Sequence, residues 1–335
     1  MGTSRQRRWI LLGVAVIVAV LLIILNLGWL VDWLAQNGVV LRQAIVTGLL
    51  IGGVFGLVAM GLTLIFGVLD IINFAHGALL TIGMYLTFVL FDRFGIDPYL
   101  AILITVPVLF LLGAIIHRTI IHPARNAPAH NQLLLTLGLA LFIENLMLVI
   151  FTATPRSIRL EYGRGLTEIG PLAIDFPIRI AGTTITLTKL AAFIFAVLLT
   201  ALLYLLLQKT TLGKAIRATA QNKDGARLVG ISTDRISLIT FGLGVACVGA
   251  AAALVLPFLA VDPQVGNTFN ITAFVIVVLG GMGSIPGALL GGLIIGLTQE
   301  LGVVFAPSST KLIGVFLVFI LVLLLRPQGL LGKRE

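Results

Sequence analysis

Three polar side chains, Asp70, Asn73 and His76, interrupt an otherwise apolar stretch of the sequence. Aspartate and asparagine side chains accept hydrogen bonds from the free amide groups at the start of a helix. A histidine side chain can bond to a neighbouring helix, and its usual pKa of about 6.5 allows it to switch charge near neutral pH. The pattern predicts a helix break capped by Asp70 and Asn73, where His76 is either a structural hydrogen-bonding group or a gate that contacts substrate.

Glu144 and Glu300 are carboxylates inside other apolar segments, and Asn145 directly follows Glu144. A carboxylate in lipid costs about 2.5–3.5 kcal/mol on insertion scales, so a role is expected for each of them. Two interpretations stay open: each carboxylate pairs with another polar group of the protein, or it lines a substrate pathway. The sequence has no ladder of carboxylates and histidines of the kind that a proton pump uses.

The motifs of common enzymes and cofactor sites are missing from the sequence. It contains no GxxxxGK[ST] phosphate-binding loop, no His-Glu-x-x-His motif and no Gly-x-Ser-x-Gly motif. The single cysteine, Cys247, excludes a disulfide framework and a cysteine-based metal site within one chain. We therefore expect no catalytic residue, no metal, no cofactor and no ATP hydrolysis by this chain.

The composition places the chain in a membrane. Of its 335 residues 59% are hydrophobic and only 10% are charged, with a mean hydropathy of +1.14, whereas soluble domains carry about 25% charged residues. The apolar runs are long and do not alternate as the strands of an outer-membrane barrel do. Because a helix satisfies its own backbone in lipid, the sequence predicts an all-α fold, a polytopic transmembrane helix bundle.

Eight to ten spans are expected, because a helix needs about 20 residues to cross about 30 Å of hydrocarbon. The uncharged stretch 263–299 is too long for one span, and the cluster GGMGSIPG at 280–287 is taken as the break in it. The first span is taken as retained, because its apolar part exceeds that of a signal peptide. The ten-span version places helices at about 9–31, 44–68, 74–91, 98–117, 133–152, 190–208, 237–259, 268–282, 285–305 and 311–326.

The net charge of +9 is interpreted through the positive-inside rule and not as a nucleic-acid surface, because the basic residues lie in short loops between spans. With the N-terminus in the cytoplasm, most Lys and Arg residues fall on the inside and both termini are cytoplasmic. The segment 153–189 is then an extracytoplasmic loop, in which the run TTITLT predicts a small strand pair. This loop either docks an outside partner or simply caps the bundle.

The longest polar segment on the inner side is QKTTLGKAIRATAQNKDGARLVGISTDRI, residues 208–236. Its capping residues predict a first helix that ends near residue 221 and a second short helix that ends at Gly230. We expect its apolar side chains, among them Leu228 and Val229, to pack against the bundle. The basic side chains that then face water or a partner protein are Lys214, Arg217, Lys223 and Arg227.

Four segments resemble one family of transport proteins, in the expected order from about residue 41 to residue 335. GKAIRATAQNKDGARLVGIS looks like the coupling loop of the membrane subunits of ABC importers, in its branched-chain amino acid permease form. GLTLIFGVLDIINFAHGALLTIGMYL at 61–86, GGMGSIPGALLGG at 280–292 and the C-terminal LLLRPQGLLGKRE are similar to the same family. Around residues 73–77 the likeness is to the shorter of two paired permeases, which has no fused ATPase.

The resemblance implies a single permease domain over residues 1–335, passive by itself, in the inner (plasma) membrane of a bacterium or an archaeon. It implies membrane lipid as the surroundings and, as partners, a second permease in a hetero-dimer, two ATP-binding subunits and an extracytoplasmic solute-binding protein, but no nucleic acid. The implied substrates are branched-chain amino acids or related small polar solutes, with urea or short amides as an alternative. The residues expected to couple the chain to the ATPase are Gly213, Lys214, Arg217, Arg227 and Gly230.

The substrate pathway is expected at the two helix breaks. Transporters often contain paired interrupted helices that mark the binding region, and the tetrapeptide GALL follows both breaks, at 77–80 and 287–290. The recurrence is either a repeat or a chance effect of a composition rich in glycine, alanine and leucine. The expected pathway residues are Asn73, His76, Gly77, Glu144, Ser284, Pro286 and Gly287.

Two other functions are weighed against the ABC permease. An ion-coupled secondary transporter would use Glu144, Glu300 and His76 as coupling groups, but it has no need of a helix pair in 208–236 that docks an ATPase. An intramembrane enzyme is disfavoured because the catalytic motifs are absent.

Overall fold

The computed structural model describes residues 27–305 and 311–332, except for residues 159, 161–164, 170, 171, 177 and 181. Helices dominate this part of the chain, and seven of them are long and apolar enough to cross a membrane. Two further apolar helices are shorter, with 16 and 15 residues. The prediction of an all-α polytopic membrane bundle is confirmed.

The helices of the described residues are numbered in chain order. They are α1 (Leu27–Leu69), α2 (His76–Phe94), α3 (Pro98–Ile116), α4 (Ala129–Phe151), α5 (Leu187–Lys209), α6 (Thr211–Gln221), α7 (Lys223–Leu228), α8 (Thr233–Val255), α9 (Val265–Gly280), α10 (Ile285–Phe305) and α11 (Lys311–Leu325). A π-helical turn, His117–Ile121, continues α3.

Nine of the ten expected spans coincide with these helices, and the remaining one, 9–31, lies mostly outside the described residues. One expectation is wrong. Spans at 9–31 and 44–68 leave a loop at 32–43, but this stretch is part of α1, which is unbroken from Leu27 to Leu69. The stretch contains no proline, and a helix keeps its backbone hydrogen bonds when polar side chains lie in it.

Two breaks interrupt the apolar helices at the predicted places. Residues 70–75 separate α1 from α2, and Asp70 leaves α1 with a φ of +55°, in the left-handed region that non-glycine residues rarely adopt. Residues 281–284 separate α9 from α10, and Gly281 and Gly283 have φ values of +98° and +82°. Glycine takes this conformation without a steric penalty, which is why the glycine cluster ends α9.

Rows of glycines bring the helix backbones into contact. A Cβ atom at Gly48 of α1 would lie 2.8 Å from the carbonyl oxygen of Gly296 of α10, and one at Gly52 would lie 2.8 Å from that of Gly292. The two helices therefore run antiparallel with almost no side chain between them. Small residues at four-residue spacing permit this packing in lipid, where the hydrophobic effect drives no association between helices.

α8 forms the centre of the bundle, and its second half, residues 248–255, is buried on every side. Gly244 of α8 packs against the backbone of Gly61 in α1, and Gly242 packs against Phe110 in α3. A helix that is apolar all round belongs in the interior of a bundle. α8 therefore holds α1, α2 and α3 around it.

Two antiparallel hairpins lie between α4 and α5, where the run TTITLT predicts one strand pair. β1 pairs with β2 and β3 pairs with β4, and the strands are β1 (Gly165–Ile169), β2 (Leu172–Phe176), β3 (Ile178–Ile180) and β4 (Thr183–Ile185). Gln43 of α1 fixes the second hairpin, because its amide donates to the Thr184 carbonyl oxygen at 2.9 Å and accepts from the Thr184 N–H at 2.7 Å. The hairpins thus sit at one end of α5, and α6 follows the other end.

Candidate functional site

Asn73 stabilises the first break, but the predicted capping role is wrong, because the N-cap position of α2 is Ala75 and no side chain caps the helix there. Asn73 Oδ1 accepts a hydrogen bond from the Ala75 N–H at 3.1 Å, and the side chain is fully buried. The same expectation is also wrong for Asp70, which lies exposed at the end of α1. The left-handed backbone of Asp70 turns the chain out of α1. Neighbouring helices supply hydrogen bonds to the start of α2.

Side chains from α4 and α9 satisfy the rest of this break. Thr136 of α4 donates its hydroxyl hydrogen to the Ile72 carbonyl oxygen at 3.0 Å and accepts from the Phe74 N–H at 3.2 Å. Asn270 of α9 accepts from the Gly77 N–H at 3.3 Å. Non-helical backbone inside a membrane protein is tolerated when other parts of the protein satisfy its polar groups. α4 and α9 are therefore the helices that hold the break in place.

His76 is fully buried at the first position of α2. Its imidazole Nε2–H donates to the carbonyl oxygen of Val58 in α1 at 2.9 Å. This hydrogen bond joins α2 to α1, and the His76 side chain reaches no open surface of the described chain. The geometry favours the structural alternative for His76.

The two GALL segments hold equivalent places, because each begins with a glycine that packs against the backbone of α9. Gly77 lies against Gly266 near the start of α9, and Gly287 lies against Gly280 at its end. A Cβ atom on Gly77 or on Gly287 would overlap the facing carbonyl oxygen. The tight crossing requires glycine at both sites and does not by itself distinguish a repeat from coincidence.

At the second break, Ser284 and Gly287 also have structural partners. Ser284 Oγ accepts a hydrogen bond from the Gly287 N–H at 3.2 Å, which caps α10. Leu330, after α11, donates its N–H to the carbonyl oxygen of Leu279 at 2.8 Å and so covers the turn. Pro286 is exposed beside it. Of the three pathway residues expected at this break, Pro286 is the one on the surface.

Glu144 lies in the middle of α4, a helix of which little is buried within the chain. Its Oε2 accepts a hydrogen bond from the side-chain amide of Asn267 in α9 at 3.2 Å. The Glu144 carboxylate therefore has a partner within the protein. Because it is only partly buried, it also remains partly open to the surface. Both interpretations of Glu144 thus keep support, since it pairs with protein and also borders an open face.

Asn145, next to Glu144 in α4, and Asn267 and Thr268 of α9 are exposed, and the expected pathway residues did not include them. We name this set, with Glu144, the polar face. Two adjacent polar residues, Asn267 and Thr268, in the uncharged run 263–299 were the available signal. Polar groups on the lipid side of a bundle are disfavoured, so a polar face on α4 and α9 points to water or to another protein.

Glu300 has a different environment from Glu144. It lies in α10, and Lys311 of α11 approaches its Oε1 at 3.5 Å. This ion pair favours the pairing alternative for Glu300. Among the described residues no group of three or more His, Cys, Asp or Glu side chains could hold a metal ion.

The expected pathway residues therefore fall into two groups. Asn73, His76 and Gly77 surround the first break, and α4 and α9 connect that break to the polar face. The residues of the second break lie at the far end of α9, which is about 24 Å long at 1.5 Å per residue. The first break is thus linked to Glu144 through α4 and α9, whereas the second break contacts the end of α1, where Gly283 lies against Gly67.

The polar segment after α5 folds as two short helices, as predicted, and we name α6 and α7 the helix pair. Thr210 Oγ1 accepts from the Gly213 N–H at 3.0 Å at the start of α6. Asn222 Oδ1 accepts from the Gly225 N–H at 2.8 Å at the start of α7. Gly230 ends α7 with a φ of +84°, as predicted for a glycine cap.

Two of the expected coupling residues attach α6 to the end of α5. The Arg217 guanidinium donates to the carbonyl oxygen of Leu207 and, at 2.9 Å, to Oε1 of Gln208. Gly213 packs against the backbone of Leu207. Arg217 therefore positions the helix pair, whereas Lys214 is exposed to solvent.

The prediction that Leu228 and Val229 pack against the bundle is wrong. Their exposed fractions are 88% and 76%, and Ala226 is the buried side chain of α7. The physical reason is the length of α7, which ends at Leu228, so that Gly230 turns the chain back before these side chains reach the bundle. The helix pair presents them as an apolar tip.

Comparison with known proteins gives consistent relatives. The family described as "Branched-chain amino acid transport system / permease component" matches residues 44–325. The chain is 31% identical over 302 residues to the high-affinity branched-chain amino acid transport system permease protein BraD of Pseudomonas aeruginosa, covering 88% of this chain and 96% of that protein. It is 32% identical over 305 residues to the corresponding LivH of Escherichia coli K12, with the same coverage.

A more distant relative is the permease protein LivM of Salmonella typhimurium, which carries the same system name. It is 27% identical over 301 residues, which cover 83% of this chain and 68% of that protein. No solved structure shows a significant match to the chain.

Proposed function

Because the chain belongs to the branched-chain amino acid transport permease family, we propose that it forms the translocation path of an ATP-driven importer of branched-chain amino acids. The chain is a multi-pass plasma membrane permease and not an enzyme. The observation that carries the proposal is the family match over residues 44–325, which includes both breaks, the polar face and the helix pair.

The helix pair supports a separate ATPase as the source of energy. It is attached firmly to α5 through Arg217, and it exposes Leu228 and Val229 together on one side of the membrane. An exposed apolar tip on a rigid base is suited to a protein partner. We assign this tip to one of two ATP-binding subunits.

The other partners follow from the same family. LivM, a permease with the same system name as LivH, supports a second permease and thus a hetero-dimer. A solute-binding protein outside the membrane is expected to deliver the substrate to the side that carries β1–β4. Both termini and the helix pair then lie in the cytoplasm.

The polar face is our candidate for the substrate pathway. Glu144 and its neighbours Asn145, Asn267 and Thr268 are partly or fully open, although many of the other exposed side chains of α4 are large and apolar. A polar pathway between two permeases would place these groups against water and a zwitterionic substrate. Asn73, His76 and Gly77 then stabilise the helices that carry the polar face. Pro286, Ser284 and Gly287, at the second break, also remain pathway candidates.

Transport by the reconstituted complex tests the proposal. Vesicles that contain both permeases, the ATP-binding subunits and the binding protein are expected to accumulate labelled leucine only with ATP, and to do so in the presence of an uncoupler. A matched control carries ATP-binding subunits in which the phosphate-loop lysine is replaced by alanine. Uptake that ignores ATP and collapses with the uncoupler would instead establish the ion-coupled alternative.

The substrate is tested by competition in the same vesicles. Unlabelled isoleucine and valine are expected to compete with labelled leucine, because the relatives are branched-chain amino acid permeases. Competition by urea or acetamide, without competition by valine, would favour the alternative substrates. Because the binding protein determines most of the choice, its ligand should be measured separately by the same set of compounds.

A further inference from the structure

Asp234, in the first turn of α8, is the meeting point of two separate segments. Its Oδ2 accepts a hydrogen bond from Arg125 at 3.0 Å and lies 3.6 Å from Nε2 of His122. Its Oδ1 lies 3.7 Å from the guanidinium of Arg227. Arg125 and His122 precede α4, and Arg227 lies in α7, so one carboxylate joins the helix pair to the start of α4.

Hydrogen bonds tie the segment before α4 to the first turn of that helix. The side-chain amide of Gln132, in the first turn of α4, donates to the carbonyl oxygens of Ala124, Arg125 and Ala127 at 3.2, 3.1 and 3.0 Å. A displacement of Arg125 therefore displaces the start of α4. One turn further along α4, Thr136 holds both sides of the first break, as described above.

The helix pair is tied to Asp234 by a second contact and also lies beside the break. Arg227 Nε donates to the hydroxyl of Thr233, the residue before Asp234, at 2.9 Å. Lys223, the first residue of α7, lines one cleft together with Asp234 and with Ile71 of the break. An unbroken set of contacts thus leads from α7 through Asp234 to α4.

We propose that Asp234 is a positioning residue for transport, which carries the movement of the helix pair to α4, the first break and the polar face. This inference rests on the proposed function, because it needs an ATPase that moves the helix pair. Its physical basis is that one carboxylate with two guanidinium partners keeps α7 and the start of α4 in a fixed relation. A neutral side chain at this position loses the charge that orients both arginines.

Stability is not the main contribution of this carboxylate. The Asp234 side chain is 50% exposed, and ion pairs open to water to this degree contribute about 0–1 kcal/mol. The variant Asp234→Asn is therefore expected to fold and assemble. Asp224 is a matched control, because it is 91% exposed and its ion pair with Arg227 stays within α7.

The test uses the complete complex in vesicles and measures leucine moved per ATP hydrolysed. Asp234→Asn is expected to lower this ratio about tenfold, the size of a typical coupling effect, while ATP hydrolysis continues. Asp234→Glu should recover much of the loss, and Asp224→Asn should remain within about twofold of the unchanged complex. A residue with only a structural role would change the amount of complex and leave the ratio unaltered.

A second variant keeps the proposal open to refutation if Asp234→Asn fails to assemble. Arg125→Gln removes the same link from its other side, and it is expected to lower the ratio equally. The double variant is expected to lower the ratio of leucine moved per ATP no further than either single variant does, because both changes remove the same contact. An unaltered ratio in Asp234→Asn or in Arg125→Gln overturns the inference, whereas an unchanged complex that transports without ATP overturns the proposed function instead.

Discussion

At the scale of single residues, the polar side chains of this bundle differ in whether they are buried or open. Asn73, His76 and Asn270 are buried, and each makes a hydrogen bond to a backbone group of the first break, of α1 or of α2. An unpaired buried backbone group costs about 1–3 kcal/mol, so these hydrogen bonds stabilise the chain at an irregular segment. Glu144, Asn267 and Thr268 are open, and this difference separates pathway candidates from structural residues.

Chemical labelling of Thr268 tests the polar face. In a Cys247→Ala background, Thr268→Cys is expected to react with a water-soluble thiol reagent in intact membranes, because its position borders an aqueous pathway. Leu103→Cys is the matched control, since Leu103 is 75% exposed on the apolar surface of α3 and should be covered by lipid. The measurement is the mass shift of the protein after a fixed time. Equal reactivity at the two positions would remove the polar face from the pathway.

At the scale of helices, glycines at the crossings set how closely the elements approach. α9 is held at both ends in this way, by Gly77 of α2 near its start and by Gly287 of α10 at its end. These contacts place α9 beside both breaks, with Asn267 toward α4, Asn270 toward α2 and Thr272 toward α10. The position of the polar face therefore depends on the close backbone approaches at both ends of α9.

Substitution of Gly77 tests this dependence. Gly77→Ala is expected to separate α2 from α9 and to destabilise the protein by about 1–3 kcal/mol, as overpacking does. Gly302→Ala is the control, because a Cβ atom at Gly302 would meet nothing within 4 Å. Thermal unfolding in detergent gives the comparison. If Gly77→Ala unfolds at the same temperature as Gly302→Ala, the close crossing is not needed for the fold.

At the scale of the whole molecule, α5 separates two functional ends. It has 23 residues, about 35 Å at 1.5 Å per residue, and it runs between β4 and the helix pair. Because α5 is apolar and long enough to span a membrane, the hairpins and the helix pair must lie on opposite sides. The proposed cytoplasmic position of the helix pair rests on the positive-inside rule.

Labelling of oriented vesicles checks this arrangement. With Cys247 replaced by alanine, Asp224→Cys is expected to react with an impermeant thiol reagent in inside-out vesicles only. Arg179→Cys, on β3, is expected to react in right-side-out vesicles only. Reaction of both positions from the same side would contradict the spanning role of α5, and the reverse pattern would invert the proposed orientation.

The sequence by itself determined the class of fold, nearly all helix positions, both breaks and the caps at the start and the end of the helix pair. These features follow from local properties, because hydropathy over about 20 residues predicts a span and glycine or asparagine predicts a turn or a cap. Gly230 is an example, since its left-handed conformation after α7 is readable from the residues around it.

Only the tertiary structure decided which polar side chains are buried and which are open. Thr268 and Asn270 are two residues apart on α9, yet Thr268 is exposed and Asn270 is buried against the first break. Likewise Leu228 and Val229 are exposed because α7 ends too far from the bundle. The direction that a helix turns to its neighbours depends on contacts between distant segments, such as Gly77 with Gly266, and local sequence patterns do not contain that information.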